Sequence, residues 1–279
     1  MSVINTNVKS LVAQNAMTVN NRSLGKVMEQ LSTGKRINSA SDDAAGLAIA
    51  DKMTSQIRGL NQAVRNANDG ISMLQTAEGA TQEVTNMLQR MRELAVQASN
   101  DTYSSADRSA LQLENDALAD EITRISDNTQ WNKMNLFTAD ASAVGASGVV
   151  NFQVGVNGGS TDLISASFTA IDATTLSAGS LDLTTQSGAQ SAITSIDAAI
   201  KSIDTIRAGF GAKINRLTYA ADNLANVAQN TAAARSRVLD TDYAAATTEL
   251  AKTQIIQQAA TAMLAQANQQ PQSVLSLLK

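Results

Sequence analysis

From Leu47 to Ala98 the apolar residues of this chain recur at steps of three and four, and that long repeat limits what the chain can become. Leu47, Ala50, Met53, Ile57, Leu60, Val64, Ala67, Ile71, Leu74 and Ala77 form its first part, and after Gly79 it resumes at Val84, Leu88, Met91, Leu94 and Ala98. A stripe sustained this far predicts one coiled-coil-like helix over about 44–99. At ~1.5 Å per residue such a helix reaches roughly 80 Å, a length that compact globular domains rarely need.

A helix of that length requires partners, and two further stripes supply them. Asn100 to Tyr103 turn the chain, and Ser104 with Asp107 reads as a capping box for a helix over about 105–128, striped by Leu111, Leu118, Ile122 and Ile125. Far along the sequence, Ile193, Ile196, Ile200, Ile203, Phe210, Ile214, Leu217, Ala221, Leu224 and Ala228 mark a third helix over about 188–237, with Ser187 and Gln190 as its expected box. The three stripes satisfy one another only side by side, so both halves of the chain return to one bundle. Between them, about 131–187, the pattern changes. Val150, Phe152, Val154 and Val156 alternate, Asn157-Gly158-Gly159-Ser160 makes a turn, and Ile164, Ala166 and Phe168 alternate again. That predicts a hairpin, with a further short strand at Leu181-Asp182-Leu183. The expected class is mainly α: a long antiparallel helical bundle or coiled coil built from both chain ends, with a small β-hairpin region inserted in the middle.

The ends form a second module. An apolar stripe through Val8, Leu11 or Val12, Ala16, Val19, Leu24, Val27 or Met28 and Leu31 stops at Gly34. A polar connector follows, with Ser39, Ser41 and Asp42 as candidate N-caps for the long helix. After Asp240-Thr241-Asp242 a last helix carries Ile256, Ala260, Met263 and Ala267 on one face; Pro271 is expected to interrupt it before the apolar tail of Val274, Leu275, Leu277 and Leu278. Residues 1–43 with 238–279 thus read as one domain and 44–237 as another. Termini normally stay polar and fray, whereas both of these are amphipathic. We read Val8, Leu11, Val12, Leu24, Val27, Leu31, Ile256, Met263, Val274, Leu275, Leu277 and Leu278 as surface that many copies pack together. The alternative is that the two end helices pair and extend the bundle of a single chain.

Composition narrows the chemistry. The 279 residues are 43% hydrophobic but only 3% aromatic, with a single proline, which suits long helices packed by aliphatic stripes. Cysteine and histidine are both absent, so thiolate nucleophiles, Cys or His metal sites and imidazole proton transfer are excluded. Acidic pairs such as Asp42/Asp43, Asp240/Asp242 and Glu114/Asp116 could serve as acid and base, but such residues are more often helix caps, and no phosphate-binding motif is present. Neither an enzyme nor a cofactor is expected. A formal net charge of −4 argues against nucleic acid. No apolar run is long enough to span a bilayer, and Met1 to Asn7 lacks the pattern of a cleaved secretory signal.

Several blocks resemble one family. Leu31 to Gly46 (LSTGKRINSASDDAAG) is similar to the N-terminal signature of bacterial flagellins, as are the segment from Gly59 to Ser72, Gln89 to Gln97 (QRMRELAVQ), Asn128 to Asn132 and Phe152 to Gly155. Ala234 to Arg237, Asp240 to Ala244 and Ala265 to Leu278 continue the resemblance. It implies an inner tube of paired terminal helices lining an export channel and a surrounding rod of long helices. The outer domains of larger members are nearly missing here. It further implies a secreted protein of the extracellular flagellar filament, polymerising with itself for motility and exported unfolded by the flagellar type III route without a cleaved signal. Its implied partners are an export chaperone at about Asp242 to Lys279, hook-associated junction and cap proteins, and a vertebrate toll-like receptor contacting Gln89, Arg90, Leu94, Gln97 and Glu114. The terminal leucines also match a tail read by intracellular immune sensors. Where flagellins commonly carry Gln, this chain has Ile214. A hook–filament junction protein has similar termini and is the alternative, with weaker matches around Arg65 to Ser72 and Gln89 to Gln97.

Overall fold

The computed structural model describes residues 7–137 and 148–276, the side chains of 270–276 excepted. Among the described residues are five α-helices: α1 (Val8–Thr33), α2 (Ala44–Ala98), α3 (Ser105–Asn128), α4 (Gln186–Leu239) and α5 (Tyr243–Ser276). Two antiparallel strand pairs lie between α3 and α4: β1 (Gln130–Trp131) with β2 (Met134–Asn135), and β3 (Val149–Gln153) with β4 (Leu163–Ser167). The mainly helical class with a small β insertion is therefore the observed one. The chain forms two compact units, Met1–Ile57 with Gln229–Lys279 and Arg58–Ala228. Their borders fall inside α2 and α4.

Unit Arg58–Ala228 holds the large core. Leu74, Leu88, Met91 and Leu94 of α2, Ile122 of α3, and Ile196, Ile203 and Leu217 of α4 are all 1% exposed or less. Each fully buried aliphatic side chain of this kind contributes about 1.5–3 kcal/mol. The capping box at the head of α3 is formed: Ser104 Oγ accepts from Asp107 N at 3.3 Å, and Asp107 Oδ2 accepts from Ser104 N at 3.0 Å. α4 starts earlier than its expected box. Thr185 Oγ1 accepts from Gly188 N at 3.1 Å, which leaves Ser187 in the first turn rather than at the cap.

The β region seats on the same core. β3 and β4 pair from Val149↔Ser167 to Gln153↔Leu163, burying Phe152, Ile164 and Ala166. Phe152 lies so close to α2 that a Cβ on Gly70 would stand 2.9 Å from its ring, which explains a glycine in mid-helix. Phe168, beyond β4, Phe137, beyond β2, and Phe210 of α4 form an aromatic cluster with ring centroids 5.5–6.5 Å apart. The strand expected at Leu181 to Leu183 is absent. There the Gln112 side-chain amide stands in for a neighbouring strand, its Nε2 donating to Leu181 O at 2.8 Å and its Oε1 accepting from Leu183 N at 2.6 Å. The β1–β2 hairpin was not expected. Its turn places Asn132 at φ 49° and Lys133 at φ 65°, and lysine in a left-handed position hides the Asn-Gly signal that usually marks such a turn.

Candidate assembly surface

In unit Met1–Ile57 with Gln229–Lys279, α1 and α5 pack as an antiparallel pair. Asn7 caps α1, its Oδ1 accepting from Ser10 N at 3.1 Å. Gly34 ends the helix at φ 70°, its N–H reaching Gln30 O, as the sequence predicts. Asp242 heads α5, its Oδ1 accepting from Ala244 N at 2.9 Å. The ties run in opposite order along the two helices: Ser10 Oγ to Asn268 Oδ1 (3.0 Å), Asn20 Nδ2 to Thr253 O (2.9 Å) and Tyr243 Oη to Leu31 O (2.8 Å). Beyond them the two connectors pair with each other. Thr241 N donates to Gly34 O at 3.0 Å and Arg36 N to Leu239 O at 2.7 Å, across an antiparallel bridge between Lys35 and Asp240.

Asp43, and not the three candidates read from the sequence, caps α2, accepting from Gly46 N at 2.8 Å. Asp42 instead ties down the connector. It pairs with Lys26 Nζ at 2.9 Å and accepts from the N–H groups of Asn38 and Ser39. The Lys26 hydrogen bond first, and then those two amides, hold its carboxyl at a pKa of about 2.

α5 runs through Pro271 to Ser276 rather than breaking there. Proline has no N–H for the carbonyl four residues earlier, which is that of Ala267. Asn7 Nδ2 donates to that carbonyl at 2.8 Å, so one amide both caps α1 and supplies the donor that Pro271 lacks.

The seam of the pair is small and polar, with Asn20, Val27, Ala246 and Thr253 as its buried residues. Much of the apolar surface faces outward. Val8, Leu11, Val12, Val19 and Met28 of α1 and Ile255, Ile256 and Met263 of α5 are exposed. Val8, Val12, Ala13 and Ala16 face Ile256, Ala260 and Met263 across an open, mostly apolar groove of about 650 Å³. Of the residues read as assembly surface, Val8, Leu11, Val12, Ile256 and Met263 are thus open, Leu24 and Leu31 half-buried, and Val27 taken up by the seam. The side chains of Val274 and Leu275, and all of Leu277 and Leu278, lie outside the described residues. Sequence reasoning missed Val19, Met28 and Ile255 as open surface and Asn20 as a seam residue; its place on the stripe between Ala16 and Leu24 was the available signal.

The residues expected to meet a receptor lie in unit Arg58–Ala228. Gln89, Arg90, Gln97 and Glu114 are exposed there, but Leu94 is 1% exposed and belongs to the core. Its spacing from Leu88 and Met91 turns it inward, away from that face. Arg90 bonds Glu93 at 3.0 Å and Glu114 at 2.9 Å, which raises its pKa. Gln97 Nε2 donates to Tyr103 Oη. The acidic pairs therefore serve as caps and ion pairs: Asp43 and Asp242 at helix starts, Asp42 on Lys26, Glu114 on Arg90. No helix among the described residues is long and apolar enough to cross a membrane.

Comparison with known proteins agrees with this architecture. Residues 4–142 match the bacterial flagellin N-terminal helical region, and residues 193–278 the bacterial flagellin C-terminal helical region. A flagellin of Halalkalibacterium halodurans is 47% identical over 279 residues, covering 99% of this chain and 100% of that one. The flagellar filament 33 kDa core protein of Treponema phagedenis is 43% identical over 285 residues, again across 99% of this chain and 100% of its own length. Among solved structures, the crystal structure of Bacillus cereus flagellin superposes with a TM-score of 0.51 at 34% identity, covering 61% of this chain and 94% of that one. With both helical ends matched and the relatives aligned nearly end to end, this chain belongs to the bacterial flagellins, a family of structural proteins and not of enzymes.

Proposed function

We propose that this chain is a subunit of the extracellular flagellar filament, joining many copies of itself through residues 1–43 and 238–279 and serving swimming motility. The observation that supports this reading best is the apolar groove left open along the α1–α5 pair. Covering Val8, Val12, Ile256 and Met263 by a neighbour contributes on the order of 1–2 kcal/mol each, since roughly half or more of each is exposed. That sum is comparable to the freedom lost when two copies associate. One contact is therefore marginal, and contacts on several sides, as in a helical array, make the association strong. In this arrangement the terminal pair supplies the contacts between copies, and the β region stays seated on α2 at Gly59 and Gly70.

We extend this reading to export by the flagellar type III route. A chain passed unfolded through the flagellar type III channel gains from having no cysteine to cross-link, and the open apolar face of α5 suits a chaperone that binds about Asp242 to Lys279 before assembly. Junction and cap proteins bound the array at its two ends. A toll-like receptor contact on this chain uses Gln89, Arg90, Gln97 and Glu114 without Leu94.

Met263→Glu tests the groove, because Met263 is 66% exposed and its replacement leaves the single chain folded. The expected result, read by circular dichroism and electron microscopy, is a helical, soluble monomer that forms no filaments. Normal filament yield from this variant, or from a chain lacking residues 243–279, overturns the reading.

A further inference from the structure

We propose that Asn157 is a site of spontaneous deamidation and isoaspartate formation, to which the fold gives no protection. Asn157-Gly158 is the one Asn-Gly pair in the sequence. It lies between β3 and β4, where both residues are exposed and outside any helix or strand. Among the described residues, neither the N–H of Gly158 nor the side-chain amide of Asn157 has a hydrogen-bond partner. The neighbouring groups do: Asn157 N donates to Asp162 Oδ2 at 2.8 Å, and Gly159 N to Asn157 O. The backbone of Asn157 is thus anchored, while among the described residues the two groups that react, its side-chain amide and the Gly158 N–H, have no partner.

The chemistry needs only water and base. Loss of its proton makes the Gly158 backbone nitrogen a nucleophile toward Asn157 Cγ. The new N–Cγ bond forms, the Cγ–Nδ2 bond breaks, and ammonia leaves with the proton, closing a five-membered succinimide. Water then opens either carbonyl of the ring, giving aspartate or, with the main chain rerouted through the side chain, isoaspartate. Nothing is oxidised or reduced. Glycine permits the close approach because it has no Cβ. The product adds a negative charge near Asp162 in a chain whose net charge is already −4.

Gly158 gives a clean control, because a Cβ built there meets nothing within 4 Å and its backbone is not in the left-handed region. Gly158→Ala should therefore fold normally. Full-length chain held in warm, mildly alkaline buffer is digested, mapped by mass spectrometry and probed with an isoaspartate methyltransferase. Conversion at Asn157 should exceed that at Asn100, which also sits in an exposed turn, by several-fold, and Gly158→Ala should remove the excess. Conversion at Asn157 no faster than at Asn100, or unchanged by Gly158→Ala, overturns the proposal.

Discussion

Phe210 joins α4 to the β region through two other rings, and replacing it by alanine measures that clamp. Its side chain is 2% exposed and its ring centroid lies 5.5 Å from that of Phe168 and 6.5 Å from that of Phe137. A buried Phe→Ala change costs about 3–5 kcal/mol, of which each ring–ring contact accounts for about 0.5–1.5. The upper half of that range is expected here, because the Phe137 and Phe168 rings wall the site and limit its collapse. Gly209 and Gly211, which flank the ring, each weaken a helix interior by about 1 kcal/mol relative to alanine. α4 cannot hold this turn in place on propensity alone. Trp131 is the sole tryptophan and lies in the same unit, half-buried against its core, so its fluorescence follows this unit through urea unfolding of the monomer. With a slope of about 2 kcal/mol per molar, the midpoint of Phe210→Ala should fall by roughly 2 M. Phe210→Leu should recover most of the loss but not the ring contacts. A loss below about 1 kcal/mol, the ordinary size for an average substitution, refutes the clamp.

Gly209→Ala meets no atom within 4 Å and should raise the same urea midpoint by the equivalent of about 0.5–1 kcal/mol. Asn7→Ala removes a helix cap worth about 1 kcal/mol and leaves the Ala267 carbonyl without its donor. Faster amide exchange at Ser10 checks the first effect, and Asn7→Asp, which keeps the cap oxygen but loses the donor, separates it from the second. The folded pKa of Asp42 lies below its ordinary value of 3.8, so the order it lends to the connector is complete above about pH 4 and is lost as pH falls through about 2. Exchange protection of the Asn38 and Ser39 amides should follow that course in the parent chain, whereas Asp42→Asn, which does not titrate, should show no such pH dependence.

The long stripes were legible because period and length leave no other reading: a pattern from Leu47 to Ala98 excludes strands and short helices alike, and α2 spans Ala44–Ala98. What stayed hidden was long-range replacement of backbone partners by side chains. Nothing local in Leu181-Asp182-Leu183 announces that Gln112, some seventy residues earlier, supplies the hydrogen bonds of a strand neighbour. Nor does Pro271 reveal that Asn7, at the other end of the chain, donates to the carbonyl it cannot serve. Cap choice failed for a subtler reason. Asp42 and Asp43 are equivalent by residue type, and only the reach of Lys26 assigns one to the connector and the other to the helix. For the assembly surface, the sequence separates apolar from polar faces but not inward from outward, which is why Val27 was grouped with exposed residues. Leu94 was placed on a receptor face by resemblance alone, although its own stripe with Leu88 and Met91 marks it as core.

The two units use apolar residues in opposite ways, and the contrast bears on how such a chain assembles. In the unit Arg58–Ala228 large aliphatic side chains fill the space between helices. In the α1–α5 pair Val27 is the one large aliphatic side chain buried among the described residues, beside an amide, a threonine and alanine, while Val8, Val12, Ile256 and Met263 stand outside. Asn20 against the Thr253 carbonyl resembles the buried asparagine that fixes register in coiled coils while lowering stability. Each such hydrogen bond contributes only about 0.5–1.5 kcal/mol net, so the pair is aligned more than it is held. A leucine in place of Asn20 would strengthen the pair by apolar burial, but it would remove the bond that sets which residues of α1 stand beside which of α5. Because the groove takes residues from both helices, that register decides whether Val8 and Val12 line up with Ile256 and Met263 at all. A weakly held but accurately aligned pair thus builds its outer face from two distant segments of chain, and that face is complete only when both ends have met.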